Sequence, residues 1–433
     1  MQVERCFRRT VSSQRNRDGR ARKLSGMIFF GVILTVLAGM VLLPSPSPAE
    51  DWPQLRGPNR NGFSAEKDLN LQWGPDGPPE LWRATIGTGF SSITIRDGQV
   101  YSMGHVGEED VVWCFKADSG EKVWERKYPT DLYAVSHEGG PSSTPTVDED
   151  SVYTLSRLAL LQCLDAKTGE VRWSHNLGEV LGTHIPKWGI SNSTLVVGDH
   201  LIVDAGVTAA FNKRTGEVVW KTENYGEGYS SPLTFSLDDK TRLGVFNGMG
   251  FIALDLENGH EICRYPWPTN FGVNSAVPII RDRQVYISSS YGQGSALITL
   301  GNANPPETVW TSKGLENHVT GAILLDGYLY GFNGHFARPN CFFQCNRLAD
   351  GEMQWVEKSV NKGSVIYADG KLLILTGNGE LISATPSPQG YQEISRGQVL
   401  GGKCWTEMAL ANKRLYARNA QGILICLNLA NKP

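Results

Sequence analysis

From residue 80 onward the chain is a succession of short apolar runs with period-two alternation, broken by turns rich in Asp, Gly, Asn and Lys, and helical spacing is almost absent. The segments DGQVYSM, EDSVYTL, GDHLIVD, KTRLGVF, DRQVYIS, DGYLYGF, DGKLLIL and NKRLYAR share a register. They place Val100, Val152, Leu201, Leu243, Val285, Leu329, Leu372 and Leu415 at one position, 42 to 52 residues apart. A repeat of that length accommodates four short strands and the turns between them, and such units stabilise one another by radial stacking. Eight copies predict an all-β, eight-bladed propeller of four-stranded antiparallel blades.

A second marker follows each hairpin. DSGEKVW, KTGEVRW, RTGEVVW, ENGHEIC and ADGEMQW end in Trp124, Trp173, Trp220, Cys263 and Trp355, while Trp310 and Ile394 fill the place in the two units with degenerate turns. The Gly four positions before the end permits a positive φ in a tight turn, and the indole offers a large face to bury against the next blade. The last unit stops at ILICLNLANKP without a fourth strand, whereas ELWRATI, with Trp82, precedes the first complete hairpin. The leading strand is therefore expected to pair near Leu415 and Cys426 and to close the ring, which removes exposed sheet edges.

Cys114, Cys163, Cys345 and Cys426 fall at one repeated position that Ala210 and Ala253 fill elsewhere. A site shared by Cys and Ala is a small core slot, so these cysteines read as free packing thiols. Cys341 and Cys345 lack a partner pair for zinc, and no metal is expected.

The units CLDAKTGEVRW, residues 163–173, and AFNKRTGEVVW, residues 210–220, resemble the pyrroloquinoline-quinone (PQQ) repeat superfamily, with its A-x-D-x-x-T-G-x-x-x-W pattern. The likeness covers roughly residues 80–429, and DWPQLRGPNRNGFS, residues 51–64, resembles the opening of many PQQ-binding-like propellers. The resemblance implies two branches. Quinone-dependent dehydrogenases are longer, bind calcium or a lanthanide, and in many cases carry a vicinal cysteine pair. BamB-like propellers of outer-membrane assembly bind protein partners without chemistry. The chain has no Cys-Cys dipeptide, which favours the second branch, and no lipid-attachment cysteine after its apolar run, which departs from that branch too.

Eight basic residues precede position 24, and an apolar or small run covers residues 24–43. This pattern reads as an export signal with its N-terminus inside, cleaved after Ala49 or retained as an inner-membrane anchor. The expected organisation is a basic flank and signal or anchor over 1–49, an irregular cap over 50–79 and the propeller over 80–433. Export places the propeller in the periplasm or outside the cytoplasm. In a chain of 433 residues, a net charge of only -3 provides no field for nucleic acid, so no nucleic-acid partner is expected.

Chemistry in a propeller gathers on the loops at one mouth of the channel. The loops from fourth to first strands carry His137, Glu138, His184, Lys187, Trp188, Tyr225, Glu227, Tyr229, Asn274 and His318, and those from second to third strands add Arg157, Asn247, Tyr291, Asn333 and His335. These types suit polar or aromatic ligands, although Asn and Gly in loops also serve simply as turn residues. Trp188 beside Lys187 suggests a planar ligand near a cation, and Glu227 with Asn247 and Asn274 offers oxygens of the kind calcium takes. No G-x-S-x-G or H-E-x-x-H occurs. The expected function is an exported, monomeric, non-catalytic binding or scaffolding propeller for a protein, peptide or glycan, without a cofactor. The alternative is a PQQ-dependent, alcohol- or sugar-dehydrogenase-like oxidoreductase with calcium, with His184 or Glu227 as base and Lys187 near the quinone.

Overall fold

The computed structural model describes residues 51–301 and 303–431. Blade 1 occupies 94–129, blade 2 146–176, blade 3 195–224, blade 4 233–266, blade 5 279–312, blade 6 323–361 and blade 7 363–398, each a four-stranded antiparallel sheet with its strands in chain order from the channel outward. Blade 8 takes Ala409–Ala411, Arg414–Arg418 and Ile423–Asn428 from the C-terminal end, and its outermost strand is Glu80–Thr85. Trp82 stands opposite Cys426, so the leading strand closes the ring as its orphan position predicts.

Period-two alternation survives mainly on outer strands. Val171–Asn176 in blade 2 alternates between half-buried and exposed, whereas the neighbouring Ser151–Leu155 is buried throughout. The reason is that each sheet has a neighbouring blade on both faces, so inner strands have no solvated side.

The tryptophans join the blades. The indole N–H donates to a turn carbonyl of the following blade in every case: Trp82 to Ala117 (3.0 Å), Trp124 to Ala166 (2.9 Å), Trp173 to Lys213 (3.2 Å), Trp220 to Leu256 (2.9 Å), Trp310 to Leu348 (2.9 Å) and Trp355 to Ser387 (2.8 Å). Across the strand from Trp124, Trp173, Trp355 and Trp82 lie Cys114, Cys163, Cys345 and Cys426, with Ala210 opposite Trp220, which is why that slot takes small residues. All seven cysteines of the described residues are free and buried, and burial pushes the Cys114 and Cys426 thiols up to about 12.

The repeat glycine has a second role that its turn alone does not reveal. A Cβ on Gly169 would stand 2.6 Å from the ring of Trp124 in the preceding blade. Gly182 has the same φ of +74° with nothing within 4 Å, so it isolates the backbone contribution. Gly182→Ala is expected to lose about 1–2 kcal/mol through φ alone, and Gly169→Ala a further ~1–3 kcal/mol from crowding the indole. Chemical denaturation of the two variants checks the difference; equal losses would remove the packing role.

Residues 51–79 contain no strand of the blades and cross one end of the ring. Trp52 bridges to Ile95 in blade 1, and Phe63 bridges to Tyr367 in blade 7. Between them Arg56 and Arg60 enter the channel. Arg56 pairs with Glu407 at 2.7 Å and donates to the Ala322 carbonyl at 2.9 Å, while Arg60 donates to the carbonyls of Thr194 and Pro232. Desolvation lowers Arg60 to about 9, and among the described residues no carboxylate hydrogen-bonds to it. The signal or anchor expected over 1–49, including the run 24–43, lies outside the described residues. Among those described, no helix is long and apolar enough to cross a membrane.

Candidate functional site

Where the chain enters the first strands of blades 1 to 4, small hydroxylated residues precede the strand, and their backbones are laced together. Ser92 N–H donates to Thr144 Oγ1 (3.1 Å), Thr144 N–H to Ser193 Oγ (2.9 Å) and Ser193 N–H to Ser231 Oγ (2.8 Å). This belt runs from blade 1 to blade 4 and sets the neck of the channel. In blade 8 the same register position holds Glu407, the carboxylate that anchors Arg56.

Above the neck lies a cavity of about 450 Å³. Leu55 and Arg56 form its floor, and Phe90, His137, Arg157, Trp188, Tyr229, Tyr291, His318, His335 and Trp405 form its walls, so the cavity is a cup floored by the 51–64 segment. Volume and lining match small-molecule sites, which are concave, mainly apolar and equipped with a few convergent polar groups.

The walls are aromatic and mutually braced. His318 and His335 stack with ring centroids 4.1 Å apart, and Tyr291 meets both edge-on at 5.5 and 4.8 Å. Trp188 meets Tyr229 and Phe271 edge-on, and Lys187 Nζ lies 4.8 Å from the Trp188 ring and 4.2 Å from that of Phe271. Lys403 pairs with Glu138 at 2.7 Å and sits 4.4 Å from the Trp405 ring.

The structure brings together His137, Trp188, Tyr229, His318 and His335, together with Arg157 and Tyr291, and leaves the other rim candidates apart. His184, Lys187 and Glu227 are exposed and outside the cup lining. Tyr225 is buried beneath Arg264, whose guanidinium lies 4.8 Å from its ring. Asn274 is a buried brace: its amide N–H donates to the carbonyls of Asn247 (2.6 Å) and Trp267 (3.1 Å), and its oxygen accepts from Ser289. Asn333 accepts the Glu316 N–H at 2.8 Å. Phe90, Trp405, Glu407 and the floor residues Leu55 and Arg56 were not legible as site residues. Only the Glu407 register position signals anything in the sequence, because a lone carboxylate there replaces the small or apolar residues of the other blades, Ser92, Thr144, Ser193, Ser231, Val277, Gly321 and Ser364.

Burial holds the cup histidines neutral. Desolvation lowers His318 to about 3 and His137 to about 4, the latter helped by Arg157, and it lowers His335 in the same direction. A histidine whose folded pKa lies below its ordinary 6.5 takes up protons on unfolding at acid pH. Its contribution is therefore complete above pH 6.5 and is lost as pH falls toward 4 and below. The melting temperature is expected to fall between pH 7 and pH 4, and His318→Asn to flatten that fall; identical slopes would show that these rings do not control it.

Matches to known proteins follow the architecture. The family model described as outer membrane protein assembly factor BamB matches residues 107–357. The chain belongs to that family. The BamB of Yersinia pestis is 23% identical over 379 residues, covering 80% of this chain and 88% of that protein. A tetrathionate hydrolase of Acidithiobacillus ferrooxidans is 23% identical over 235 residues, 49% of this chain and 44% of that one. Among solved structures, BamB of Moraxella catarrhalis superposes with a TM-score of 0.59 at 18% identity, covering 82% of this chain and 98% of the other. A europium-containing methanol dehydrogenase reaches 0.64 at 12% identity, over 85% and 89%. BamB proteins and quinone-dependent dehydrogenases therefore share the ring, and the ring alone does not assign chemistry to this member.

The alternative reading places PQQ and calcium on named residues of the rim. Lys187, His184 and Glu227, the groups assigned to that chemistry, stand outside the cup, and the oxygens of Asn247 and Asn274 are engaged within the fold.

Proposed function

We propose that this member of the BamB family is an exported, non-catalytic binding or scaffolding propeller, whose partner docks on the loop face with part of it entering the cup. The observation that carries the reading is the aromatic-walled cup of about 450 Å³, floored by Leu55 and Arg56, which offers a concave, mainly apolar surface to an occupant. The lip supports it. Tyr133, Phe271 and Tyr291 hold φ of +51°, +63° and +65°, whereas the hairpin tips use residues that tolerate this backbone, such as Asp97, Asp326, Asp369 and Asn412. Left-handed backbone at a bulky residue costs about 1–3 kcal/mol, and Phe271 returns little of it to the fold because it is 59% exposed.

The reading is tested by tagging the protein in its host and comparing partner capture by the wild type with capture by Trp188→Ala/Tyr291→Ala/Trp405→Ala. Loss of capture with an unchanged melt is expected; equal capture, or alcohol oxidation by the protein loaded with PQQ and calcium, would overturn it. Phe271→Gly is expected to raise stability by about 1 kcal/mol while weakening capture, a trade-off read by denaturation and by the same assay.

A further inference from the structure

The cup is rich in unused hydrogen-bond donors. Arg157 is 3% exposed, and among the described residues no carboxylate hydrogen-bonds to it. The acid whose charge acts on it, Asp110, is bonded instead to His105 Nδ1 at 2.9 Å and to the Tyr128 hydroxyl at 3.4 Å. A guanidinium has five N–H groups. Here Nη1 faces His137 Nε2 at 3.2 Å, Nη2 donates to Ser142 Oγ, and Nε has no partner.

The His137 contact is itself compromised. Its Nδ1 already faces the Gly139 N–H at 3.1 Å, and a neutral imidazole has one acceptor nitrogen, so one of its two donor neighbours goes unserved. Across the cup, His318 Nδ1 accepts the Phe336 N–H and His335 Nδ1 accepts the Ala337 N–H, each at 3.1 Å, which leaves the Nε2–H of both rings as donors. Tyr229, only 7% exposed, has a hydroxyl whose proton finds no acceptor among the described residues. The free carboxylate oxygen at the cup, Glu407 Oε2, is on the floor beside the Arg56 guanidinium that neutralises it.

A buried cation without a counter-ion is unfavourable, and an anion reaching it offsets that penalty. The planar fork of arginine suits a carboxylate. Gly189 lies directly against the Arg157 stem, so Trp188 flanks the same corner of the cup and gives a flat apolar body a surface beside the charge.

We propose that the cup binds a monocarboxylate with an aromatic or flat apolar body, the carboxylate on Arg157 and the Tyr229 hydroxyl and the body against Trp188 and Tyr291. This deepens the binding reading of the same face and rests on it. The carboxylate can belong to a free small acid or to the end of a peptide chain, and both present the same group to Arg157.

The test is titration of the full-length protein with 3-phenylpropionate and with the isosteric 3-phenylpropanamide, followed by tryptophan fluorescence and calorimetry. The acid is expected to bind at least ~10-fold tighter than the amide, and this preference to disappear in Arg157→Met. Tyr229→Phe, which keeps the ring, is expected to weaken the acid by ~3-fold and to decide the matter if Arg157→Met does not fold. A tripeptide ending in tryptophan, as free acid and as amide, separates the two sources: tighter binding of the peptide acid identifies a chain end, and tighter binding of phenylpropionate a free acid. Equal binding of acid and amide, or binding of neither, overturns the inference. If neither binds while partner capture still depends on Trp188, Tyr291 and Trp405, the carboxylate site falls and the docking reading stands; if the acid binds while capture is indifferent to those residues, the docking reading falls instead.

Discussion

A chain lacking residues 80–87 is expected to lose its cooperative melt or to elute as an oligomer. The segment supplies the outermost strand of blade 8, paired with Ile423–Leu427, and with it goes Trp82, 8% exposed and bonded to Ala117 in blade 1. Removing a buried tryptophan side chain alone loses about 3–5 kcal/mol, which is comparable with the whole stability of many domains. Deletion also strips the Gly87 carbonyl from Arg418, a fully buried guanidinium that binds Gly87, Ser91 and Met103 of the blade 1 side and has no carboxylate partner. What remains is an uncovered edge at 423–428, a template for pairing with a second chain. Light scattering with a thermal melt reads both outcomes; a monomer with an unchanged melting temperature would refute closure by this strand.

Arg56→Met should destabilise the protein by about 3–5 kcal/mol, because it leaves Glu407 buried without its cation. The pair lies at 2.7 Å with side chains 3% and 7% exposed, so solvent does little to screen it. Adding Glu407→Gln is expected to recover more than half of the loss, since a neutral amide oxygen can still accept the Gly321 N–H that Glu407 now accepts at 3.2 Å. The double variant also separates stability from shape: it keeps a neutral floor beneath the cup. Urea denaturation of the two single variants and the double variant measures the coupling, and additive losses would mean that the ion pair does not hold the 51–64 segment in the channel.

The two expected results draw on different levels of legibility. Strand closure was visible from Trp82 standing before the first hairpin and from the missing fourth strand after Cys426, because a repeat with one strand short at one end and one spare at the other has a single economical solution. The Arg56–Glu407 pair was not visible, since 351 residues separate its members and nothing local distinguishes Arg56 from Arg60. The same split divides the candidate site. His137, Trp188, Tyr229, His318 and His335 share the cup because loops from successive repeats inherit the radial order of the blades. Lys187 and Trp188 are neighbours in sequence, yet the indole lines the cup and the ammonium stays outside it, over the rings of Trp188 and Phe271.

By itself the sequence determined the ring: the number of blades, the indole that joins each to the next, the small slot opposite it and the strand that closes the circle. Those features repeat, and each depends on contacts inside one blade or with the adjacent blade, so a periodic pattern suffices to encode them. Only the tertiary structure decided that the 51–64 segment floors the cup, that Arg157 is buried there without an acid hydrogen-bonded to it, and that Glu227, Asn247 and Asn274 do not form a common site. Those properties arise where residues far apart in the chain meet on the ring's axis, and their charges and unused hydrogen bonds depend on which neighbours the fold delivers.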